Sequence, residues 1–305
     1  MRGAGEDRII GRNTIAAQCR TYFSEGNMDT WLITNAYSSF GLELSAELLA
    51  RGHAVAATVR SAAERRAYED RFAARPLCYV LDVTDGDAVR ATVDEIEAVT
   101  GGIAVVVNND GGGLRGMIEE VSLHEMRAHF EAGVFGAIAV IQAALPYMRA
   151  RRAGRIFNIL PTACQPDAVG AGIYQGGKLA LEGMTEALAR EVAPFGIHAT
   201  AVTPGCFADE RGREELRSGR RARRRIADYH AQGTRAATAA AASLGDPERA
   251  AQAVLLVAST RRPPRRLLLG SAALDNVRRK IGDLQEELSD WELVSMNTDL
   301  SAGRA

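Results

Sequence analysis

The sequence predicts an α/β fold built on a doubly wound parallel sheet with helices on both faces. Three observations indicate this architecture. Short apolar segments alternate without interruption with helical segments from residue 31 to residue 203, which is the pattern of repeated βαβ units. The segment 103–107 is almost wholly apolar, as expected for a parallel strand covered on both faces. Polar or glycine-containing turns follow the apolar segments, and ligands of doubly wound sheets bind at these carboxyl ends.

Each predicted strand is a short apolar run that stops at a polar, glycine or proline residue. Residues 31–34 run into a polar turn, and residues 77–83 contain Asp82 near their end. Pro204 stops the strand at 196–203, because proline cannot donate to a sheet ladder. The predicted strands are 31–34, 53–59, 77–83, 103–107, 155–160 and 196–203, with a candidate last strand at 266–270.

The predicted helices lie between these strands. The helix at 85–99 begins at Asp85, an acidic residue suited to a helix N-terminus. A long helical stretch at 122–151 is expected to divide into two helices near Gly133 and Gly136. The other predicted helices are 42–51, 62–73, the segment that carries Tyr174 and Lys178 up to residue 191, 247–258 and 272–288.

Composition limits the classes of function. The chain has 305 residues, 47% of them hydrophobic, which is enough for one large domain with a buried core. Its 37 basic and 38 acidic residues nearly cancel, so we expect no nucleic-acid partner. No uninterrupted apolar run reaches about 18 residues, so we expect no membrane span. The four cysteines lack a C-x-x-C pair and metal spacing, which predicts no metal site, reduced thiols and a cytoplasmic location.

The chain is predicted to form one domain, 29–305, preceded by an extension. Residues 1–28 contain no apolar signal core, so we expect a disordered extension with Met28 as the candidate native start. Residues 208–242 are rich in Arg, Glu and Ala, with eight arginines between Arg211 and Arg225. Because acidic residues are interleaved, this segment predicts a solvated helical lid and not a nucleic-acid surface. A helical tail follows at the C-terminus.

The strongest chemical signal is Tyr174, followed four residues later by Lys178. Residues at this spacing lie on one face of a helix. A phenol has an unperturbed pKa of about 10, and an ammonium within about 4–6 Å favours the phenolate and lowers that pKa. One helical turn therefore supplies a tuned acid/base, although a solvated helical pair is the plainer alternative. His124, His129 and His198 show no ligand spacing, so we interpret them as surface or core histidines.

Together with this pair, several motifs resemble the short-chain dehydrogenase/reductase family, in its NADP-preferring branch. The motifs, in the order and spacing of the family, are Asp82-Val83, Asn108-Asn109-x-Gly111, Tyr174-x-x-x-Lys178, Pro204-Gly205 and the tail at 245–251. The resemblance covers about residues 30–299 and implies a Rossmann-type fold, a nicotinamide cofactor and a small-molecule substrate. It implies that Tyr174 passes a proton to or from the substrate oxygen, while Lys178 lowers the phenol pKa and binds the nicotinamide ribose.

The resemblance also assigns a cofactor site. Arg60, at the end of the second strand, stands where the family distinguishes its cofactors, and a guanidinium suits the extra phosphate of NADP(H). Asp82 is assigned to the adenine, with Asn108 nearby. The full set assigned to the cofactor is Thr34, Ser39, Phe40, Gly41, Arg60, Asp82, Val83, Asn108, Gly111, Lys178, Pro204 and Gly205.

Five departures from the family pattern surround the same pocket. In the turn at 34–41 only the last of the family's glycines remains, although Asn35 adopts a left-handed backbone more readily than most residues. Asp110 replaces a small residue, and its carboxylate would repel phosphate unless it is paired. The other three departures are Pro161 at the catalytic Ser, with Thr162 as the candidate substitute, Gly133 at the proton-relay Asn, and Asp209 at the Thr that holds the carboxamide.

Three functions remain open. The first is NADP(H)-linked reduction of a carbonyl or oxidation of an alcohol, with Tyr174 as acid/base. The second is a non-redox dehydration, isomerisation, cyclisation or elimination, because the departures remove cofactor contacts but keep the proton-transfer pair. The third is a catalytically silent partner or sensor. The resemblance further implies a homo-oligomer, a dimer or tetramer, formed through the helix that carries Tyr174 and the long helix before it.

Overall fold

The computed structural model describes residues 29–73, 75–160, 169–204, 206–207, 220–229 and 244–298. The predicted extension at 1–28, most of the predicted lid, and the site residues Thr162 and Gly205 lie outside these residues. The described chain forms a seven-stranded parallel sheet flanked by helices, which confirms the predicted α/β fold.

The sheet is doubly wound. Its strands are β1 (Thr30–Ile33), β2 (Ala54–Val59), β3 (Leu77–Val80), β4 (Ile103–Asn108), β6 (Gly154–Ile159), β7 (Ile197–Thr203) and β11 (Arg266–Leu268). They lie in the order β11-β7-β6-β4-β1-β2-β3, and every neighbouring pair is parallel. The chain therefore starts at the centre, moves outward to β3 and returns to the other side of β1 at β4. Two short parallel ladders pair β5 (Leu114–Arg115) with β9 (Arg220–Arg221), and β8 (Cys206–Phe207) with β10 (Leu244–Gly245).

Helices cover both faces of this sheet. They are α1 (Ser39–Ala50), α2 (Ala62–Arg71), α3 (Gly86–Thr100), α4 (Leu123–Phe130), α5 (Gly136–Arg151), α6 (Gly172–Val192), α7 (Pro247–Ser259) and α8 (Ser271–Met296). Trp31 packs in the core beneath α1 and α7, whereas its neighbour Leu32 packs in the core beneath α3 and α5. Successive strand residues point to opposite faces, so a strand buried on both faces must be apolar at every position.

Polar side chains set the starts of two helices that frame the site. The Ser38 hydroxyl accepts a hydrogen bond from the N–H of Gly41 at 3.0 Å, so α1 begins at Ser39, three residues before its predicted start. Asp85 caps α3 as predicted, since its carboxylate accepts from the N–H groups of Asp87 and Ala88.

The division predicted near Gly133 and Gly136 takes the form of a π-helical turn and not of a break. Residues Glu131–Phe135 form this turn and join α4 to α5 without leaving the helical region. A Cβ at Gly136 would lie 2.6 Å from Cγ2 of Val83, so glycine is required there for close packing. Gly136 therefore serves helix packing, which periodicity could not distinguish from helix termination.

The helical unit 123–151 is long and apolar enough to cross a membrane by length and composition alone. Polar side chains interrupt its apolar residues, so it contains no uninterrupted apolar run of about 18 residues. Half of its most apolar stretch is buried, and α5 packs in the core together with α3. This burial is that of a core helix, and one such helix is weak evidence for a membrane.

The described part of the predicted lid, 220–229, differs from the predicted helix. It contributes β9 and a short 3-10 turn, Ala227–Tyr229. The N–H of Ile226 donates to the buried carboxylate of Glu120 at 2.9 Å. In a helix this N–H would instead donate to a backbone carbonyl of the preceding turn. The predicted helical tail is confirmed, and α8 continues eight residues beyond the predicted end at 288.

Candidate functional site

Two loops meet where the order of the strands reverses. β1 is followed by the turn 34–38, and β4, beside it, is followed by 109–111. The Thr34 hydroxyl accepts a hydrogen bond from the N–H of Asn109 at 3.0 Å, and Nδ2 of Asn109 donates to the Ser38 hydroxyl at 2.7 Å. Ligands of doubly wound sheets bind at such a switch point, so this is the candidate functional site.

The turn after β1 keeps its shape without its first glycine. Asn35 has φ of +46°, in the left-handed region that favours glycine and tolerates Asn. Its side-chain amide donates to the carbonyl oxygen of Asn109 at 3.3 Å, and its own carbonyl accepts from Nδ2 of Asn109 at 3.2 Å. The conformation predicted for Asn35 is confirmed, and reciprocal bonds to the loop after β4 hold it.

Gly41 is required at the start of α1. A Cβ there would lie 2.7 Å from the carbonyl oxygen of Ala36, so only glycine lets the helix pack on the preceding turn. Ser39 and Phe40 are buried beside it. The N–H groups of a helix N-terminus attract phosphate, but the Ser38 hydroxyl already takes the N–H of Gly41. Gly41 therefore permits close approach to the backbone, but its N–H is already used and is one donor fewer for a phosphate at this helix N-terminus.

Arg60, Asp82 and Val83 lie at the carboxyl ends of β2 and β3, on the outer side of the site. Arg60 is exposed, and its guanidinium lies 3.5 Å from the Glu64 carboxylate. Asp82 accepts hydrogen bonds from the N–H and the hydroxyl of Thr84, and these bonds lower the pKa of its carboxyl. Val83 is buried. The assignment of these three residues to a dinucleotide stays a prediction.

Asn108 is buried, and its side-chain amide makes hydrogen bonds within the core of the protein. Its Nδ2 donates to Oδ1 of Asn158 on β6 at 2.8 Å, and Nδ2 of Asn158 donates to the hydroxyl of Thr185 on α6 at 2.7 Å. Asn158 and Thr185 were not predicted. The chain of bonds crosses β4, β6 and α6, so it fixes the helix that carries Tyr174 and Lys178 against the sheet.

The helix α6 places Lys178 at the carboxyl end of the sheet. Lys178 is 3% exposed, and its Nζ donates to the carbonyl oxygen of Asp110 at 3.1 Å. Burial lowers the pKa of Lys178 from 10.5 to about 8, although the Asp110 carboxyl acts in the opposite direction. The side chain is therefore mainly an ammonium at pH 7. Tyr174 lies one helical turn earlier and is partly buried.

Two glycines lie beside the Lys178 ammonium, and one of them makes room for it. Gly111 has φ of +125°, and a Cβ there would lie 2.5 Å from Nζ of Lys178. Gly133, in the π-helical turn, would place a Cβ 3.9 Å from the same nitrogen and 3.8 Å from Cα of Gly111. Glycine is thus required at 111, whereas 133 has space for a side chain. The amide that the family carries at Gly133 would stand against the ammonium.

Asp110 brings a carboxyl to the same place. Burial raises its pKa, while a hydrogen bond with the Thr34 side chain and the positive charge of Lys178 act in the opposite direction. Its Oδ2 is buried and has no hydrogen-bond partner among the described residues. Asp110 and Lys178 both shift toward their neutral forms, because burial penalises either charge. An unpartnered buried oxygen indicates that a proton or a bound group completes the site.

His129, on α4, belongs to the site although its spacing did not single it out. Its ring centroid lies 5.6 Å from that of Tyr174, and the residue is buried. Burial and then the charge of Lys178 lower its pKa to about 4, against a hydrogen bond with the Tyr174 backbone, so the imidazole is neutral at pH 7. A Cβ at Gly177 would lie 3.3 Å from Nε2 of His129. Glycine is unfavourable inside a helix, so the presence of Gly177 in a predicted helix was the one indication in the sequence that another side chain packs against this position.

The described residues fit a dinucleotide except at Asp110. Gly41 lets the first turn of α1 lie against the turn after β1, and Lys178 brings an ammonium beside the loop after β4. The Asp110 carboxyl opposes a phosphate when ionised, and its raised pKa reduces that conflict. Pro204 is buried at the end of β7. Pro161, Thr162, Gly205 and Asp209 lie outside the part of the chain that the structure describes.

Known proteins are similar to this chain in sequence and in fold. Residues 29–220 match the family model described as short chain dehydrogenase. The chain is 39% identical over 178 residues to the oxidoreductase claN of Passalora fulva, covering 58% of this chain and 81% of that protein. It is 36% identical over 190 residues to a 3-ketodihydrosphingosine reductase of Bacteroides thetaiotaomicron, covering 61% and 68%. A crystal structure of a short-chain dehydrogenase from Streptomyces avermitilis superposes with a TM-score of 0.81 at 32% identity, covering 90% of this chain and 100% of that one.

The family match includes every described element of the site, namely the turn after β1, the loop after β4 and the helix α6. It confirms the resemblance based on the motifs, and the doubly wound sheet agrees with it. The chain therefore belongs to the short chain dehydrogenase family, a family of oxidoreductases.

Proposed function

We propose that the protein is an NADP(H)-linked oxidoreductase that reduces a carbonyl or oxidises an alcohol on a small molecule. One observation carries the proposal: the Lys178 ammonium is buried beside the switch point, one helical turn after Tyr174. Burying a cation is unfavourable unless a partner or a function compensates for it. In the proposal, this cation favours the phenolate of Tyr174, which is the property that proton transfer near pH 7 needs.

In the proposed reaction, Tyr174 handles the proton and Lys178 keeps the phenol acidic. For a reduction, the Tyr174 hydroxyl gives its proton to the substrate oxygen, and for an oxidation the phenolate takes that proton. The nicotinamide, when bound, supplies or accepts the hydride. Lys178 also holds the nicotinamide ribose in this scheme, and Thr162 stays a prediction for the residue that holds the substrate oxygen.

Arg60 supports NADP(H) over NAD(H). Its guanidinium is exposed at the end of β2, and its pair with Glu64 at 3.5 Å is a surface pair of the kind that contributes little. Arg60 is therefore available to the extra phosphate of NADP(H), which a planar guanidinium binds well. The assignment of Asp82 to the adenine rests on its place at the end of β3.

Apolar side chains beside α6 support an apolar substrate. Ile118 is exposed, and a Cβ at Gly172, at the start of α6, would lie 3.1 Å from its Cγ1. The Ile118 side chain therefore lies against the start of α6, at Gly172, which is two residues before Tyr174. The relative from Bacteroides thetaiotaomicron is named for a ketone on a long apolar chain. We infer a ketone or alcohol carried by an apolar chain as the substrate class.

Two measurements test the proposal together. NADPH should raise the melting temperature in a concentration-dependent way, and it should do so more strongly than NADH. Tyr174→Phe removes the proton donor without changing the ring, so we expect it to bind NADPH as the wild type does while turnover of an alkyl ketone falls at least about 100-fold. No melting shift at millimolar NADPH or NADH would exclude the redox function, and full turnover by Tyr174→Phe would exclude the role of Tyr174.

A non-redox reaction with Tyr174 as acid/base is the second candidate. The unpartnered buried Oδ2 of Asp110 favours it, because a second proton-transfer group beside Lys178 suits a dehydration or an isomerisation. Turnover of a hydroxy-ketone by protein freed of nicotinamide would support this candidate. Loss of turnover that NADPH restores would instead support the oxidoreductase. A catalytically silent partner is the remaining alternative, which turnover of either kind excludes.

Exposed apolar residues support the predicted homo-oligomer. Phe135 in the π-helical turn and Leu179 and Met184 on α6 are exposed, on the two elements through which family members are expected to associate. A dimer or tetramer through this surface stays a prediction, as does the cytoplasmic location inferred from the cysteines. We include no nucleic acid and no membrane among the proposed partners.

A further inference from the structure

The C-terminal half of α8 leaves the body of the protein. The helix runs from Ser271 to Met296, and only Ala273 and Asn276, both near its start, are buried. From Ile281 onward almost every residue is exposed on all sides of the helix. Most of the stability of a helix in a protein comes from packing of its apolar face, which the exposed half of α8 lacks within this chain's described residues. Stability of the exposed half therefore calls for a partner.

One side of this helix carries a continuous apolar stripe. The apolar residues follow one another at spacings of three and four, which is the heptad repeat of a coiled-coil seam. They are Leu274, Val277, Ile281, Leu284, Leu288 and Trp291. Leu288 is 70% exposed and Trp291 is 62% exposed. A seam of this spacing fits another helix along its length.

The charges beside the stripe choose between two orientations. Arg278 and Lys280 flank its first half, whereas Glu287 and Glu292 flank its second half. In a parallel pair of identical helices, Glu287 would face Glu292 of the partner subunit, which places like charges together. In an antiparallel pair the basic half of each helix lies along the acidic half of the other. The charge pattern is thus complementary to itself only when the helices run in opposite directions.

The apolar residues match the same antiparallel register. When Ile281 is opposite Leu284 of the partner subunit, Val277 falls opposite Leu288 and Leu274 opposite Trp291, so every layer is apolar on both sides. In this register Lys280 of one copy lies beside Glu287 of the other. Arg278 lies beside Gln285 of the partner subunit, which is neutral. Such an arrangement has two-fold symmetry, in which each copy presents the same surface.

We propose that α8 is a dimerisation helix that pairs with α8 of a second copy of this chain as an antiparallel coiled coil. The surface lies on α8 and shares no residue with the Phe135, Leu179 and Met184 surface. Both interfaces together would therefore build a tetramer from two dimers. The acidic second half disfavours an anionic membrane as the occupant, since such membranes attract basic helices. The proposal does not depend on the cofactor or on the reaction.

Mass measurement by light scattering, coupled to size exclusion, tests the interface. Leu284→Asp and Leu288→Asp place a charge in the seam, so we expect the mass of the full-length protein to fall by half. Glu286→Gln changes the opposite face of the same helix and should leave the mass unchanged. The melting temperature of the body should change by less than about 2 °C in all three variants, which separates dissociation from unfolding. An unchanged mass in both seam variants would overturn the proposal.

A charge exchange tests the orientation. Lys280→Glu places like charges beside Glu287 of the partner subunit, and Glu287→Lys does the same in reverse, so each should shift the assembly toward the smaller species at micromolar protein. The double variant restores opposite charges in the antiparallel pair, so it should recover the wild-type mass. In a parallel pair, Glu287→Lys alone would instead bring opposite charges together at Glu292 of the partner subunit and strengthen the assembly. Failure of the double variant to recover would exclude the antiparallel register. A wild type that loses its larger mass when residues 1–28 are removed would identify that segment as the occupant instead.

Discussion

The side-chain nitrogen of Lys178 donates a hydrogen bond to the backbone carbonyl of Asp110 at 3.1 Å. This bond ties α6 to the loop after β4, and it brings the Asp110 carboxyl into the field of the ammonium. Each group opposes the shift that burial imposes on the other. The protonation states of the two residues are therefore coupled, and together they set the charge of the site.

Asp110→Asn should tighten NADPH binding. The change keeps the shape of the side chain and removes the carboxylate, which opposes the phosphates of a dinucleotide when it is ionised. Like charges brought together in a desolvated site cost on the order of 1 kcal/mol or more, so we expect the Kd for NADPH to fall about tenfold at pH 8. Isothermal titration calorimetry measures this change. Asp87→Asn, at a highly exposed carboxylate, is the matched control and should leave the Kd unchanged.

The same variant should remove a pH dependence. Burial raises the pKa of Asp110, so the carboxyl is neutral at low pH and becomes ionised as the pH rises through its folded pKa. The affinity of the wild type for NADPH should therefore fall as the pH rises through that pKa, while the affinity of Asp110→Asn should follow a flatter course. Parallel pH profiles for the two proteins would show that Asp110 does not oppose the cofactor.

Gly111→Ala should disrupt the Lys178 site, whereas Gly112→Ala should not. A methyl group at 111 would lie 2.5 Å from Nζ of Lys178 on a left-handed backbone, while 112 has open space and an ordinary backbone. Overpacking of this kind typically costs about 1–3 kcal/mol, so we expect a lower melting temperature and little turnover for Gly111→Ala. Thermal unfolding and a ketone-reduction assay measure both effects. Equal behaviour of the two variants would mean that the loop relaxes without moving the ammonium.

The fold and the placement of Tyr174 and Lys178 on one helix could be predicted, because both depend on local patterns. The role of these two residues as an acid/base pair stays a prediction. Buried parallel strands such as β4 must be apolar at nearly every position, and Tyr174 and Lys178 share one helical turn. The conformation of Asn35 followed from its short polar side chain, and the structure bears it out. Each of these features is encoded within a few consecutive residues.

Contacts between distant segments could not be predicted. The Asn108 amide is used by Asn158, 50 residues away, and no spacing rule links them. The burial of Asp110 beside Lys178 depends on how β4 and α6 are arranged in space. The conformation at 220–229 depends on Glu120, a carboxylate more than 100 residues earlier. The composition of this segment predicted a helix, but the contact with the distant Glu120 carboxylate favours the observed non-helical conformation.

Gly133→Asn should restore an amide beside the Lys178 ammonium. A Cβ at this position makes only ordinary contacts, 3.8 Å from Cα of Gly111 and 3.9 Å from Nζ of Lys178, so the side chain can be accommodated. If the proton passes along Lys178, we expect kcat to rise about tenfold, within the range of proton-transfer effects. Gly133→Ala is the matched control, because it adds helix stability of about 0.5–1 kcal/mol without an amide. A rise in kcat common to both variants would point to helix stability and not to proton relay.

His129→Ala should lower kcat more than it changes KM. The imidazole packs 5.6 Å, centroid to centroid, from the Tyr174 ring, so its loss frees that ring to move, and small displacements of a catalytic group cost up to about 100-fold in rate. We expect kcat to fall about tenfold or more and KM to stay within about twofold. Steady-state kinetics measure both, and His124→Ala, at an exposed position on the same helix, should behave as the wild type.

The pH profile decides whether His129 acts by position or by protonation. With a pKa of about 4, the imidazole stays neutral from pH 5.5 to pH 8, so the kcat profile of the wild type should contain no transition near pH 6.5 in that interval. His129→Phe keeps an aromatic ring against Tyr174 and should recover part of the rate lost in His129→Ala. A transition near pH 6.5 that disappears in both variants would instead make His129 a titrating partner of the reaction.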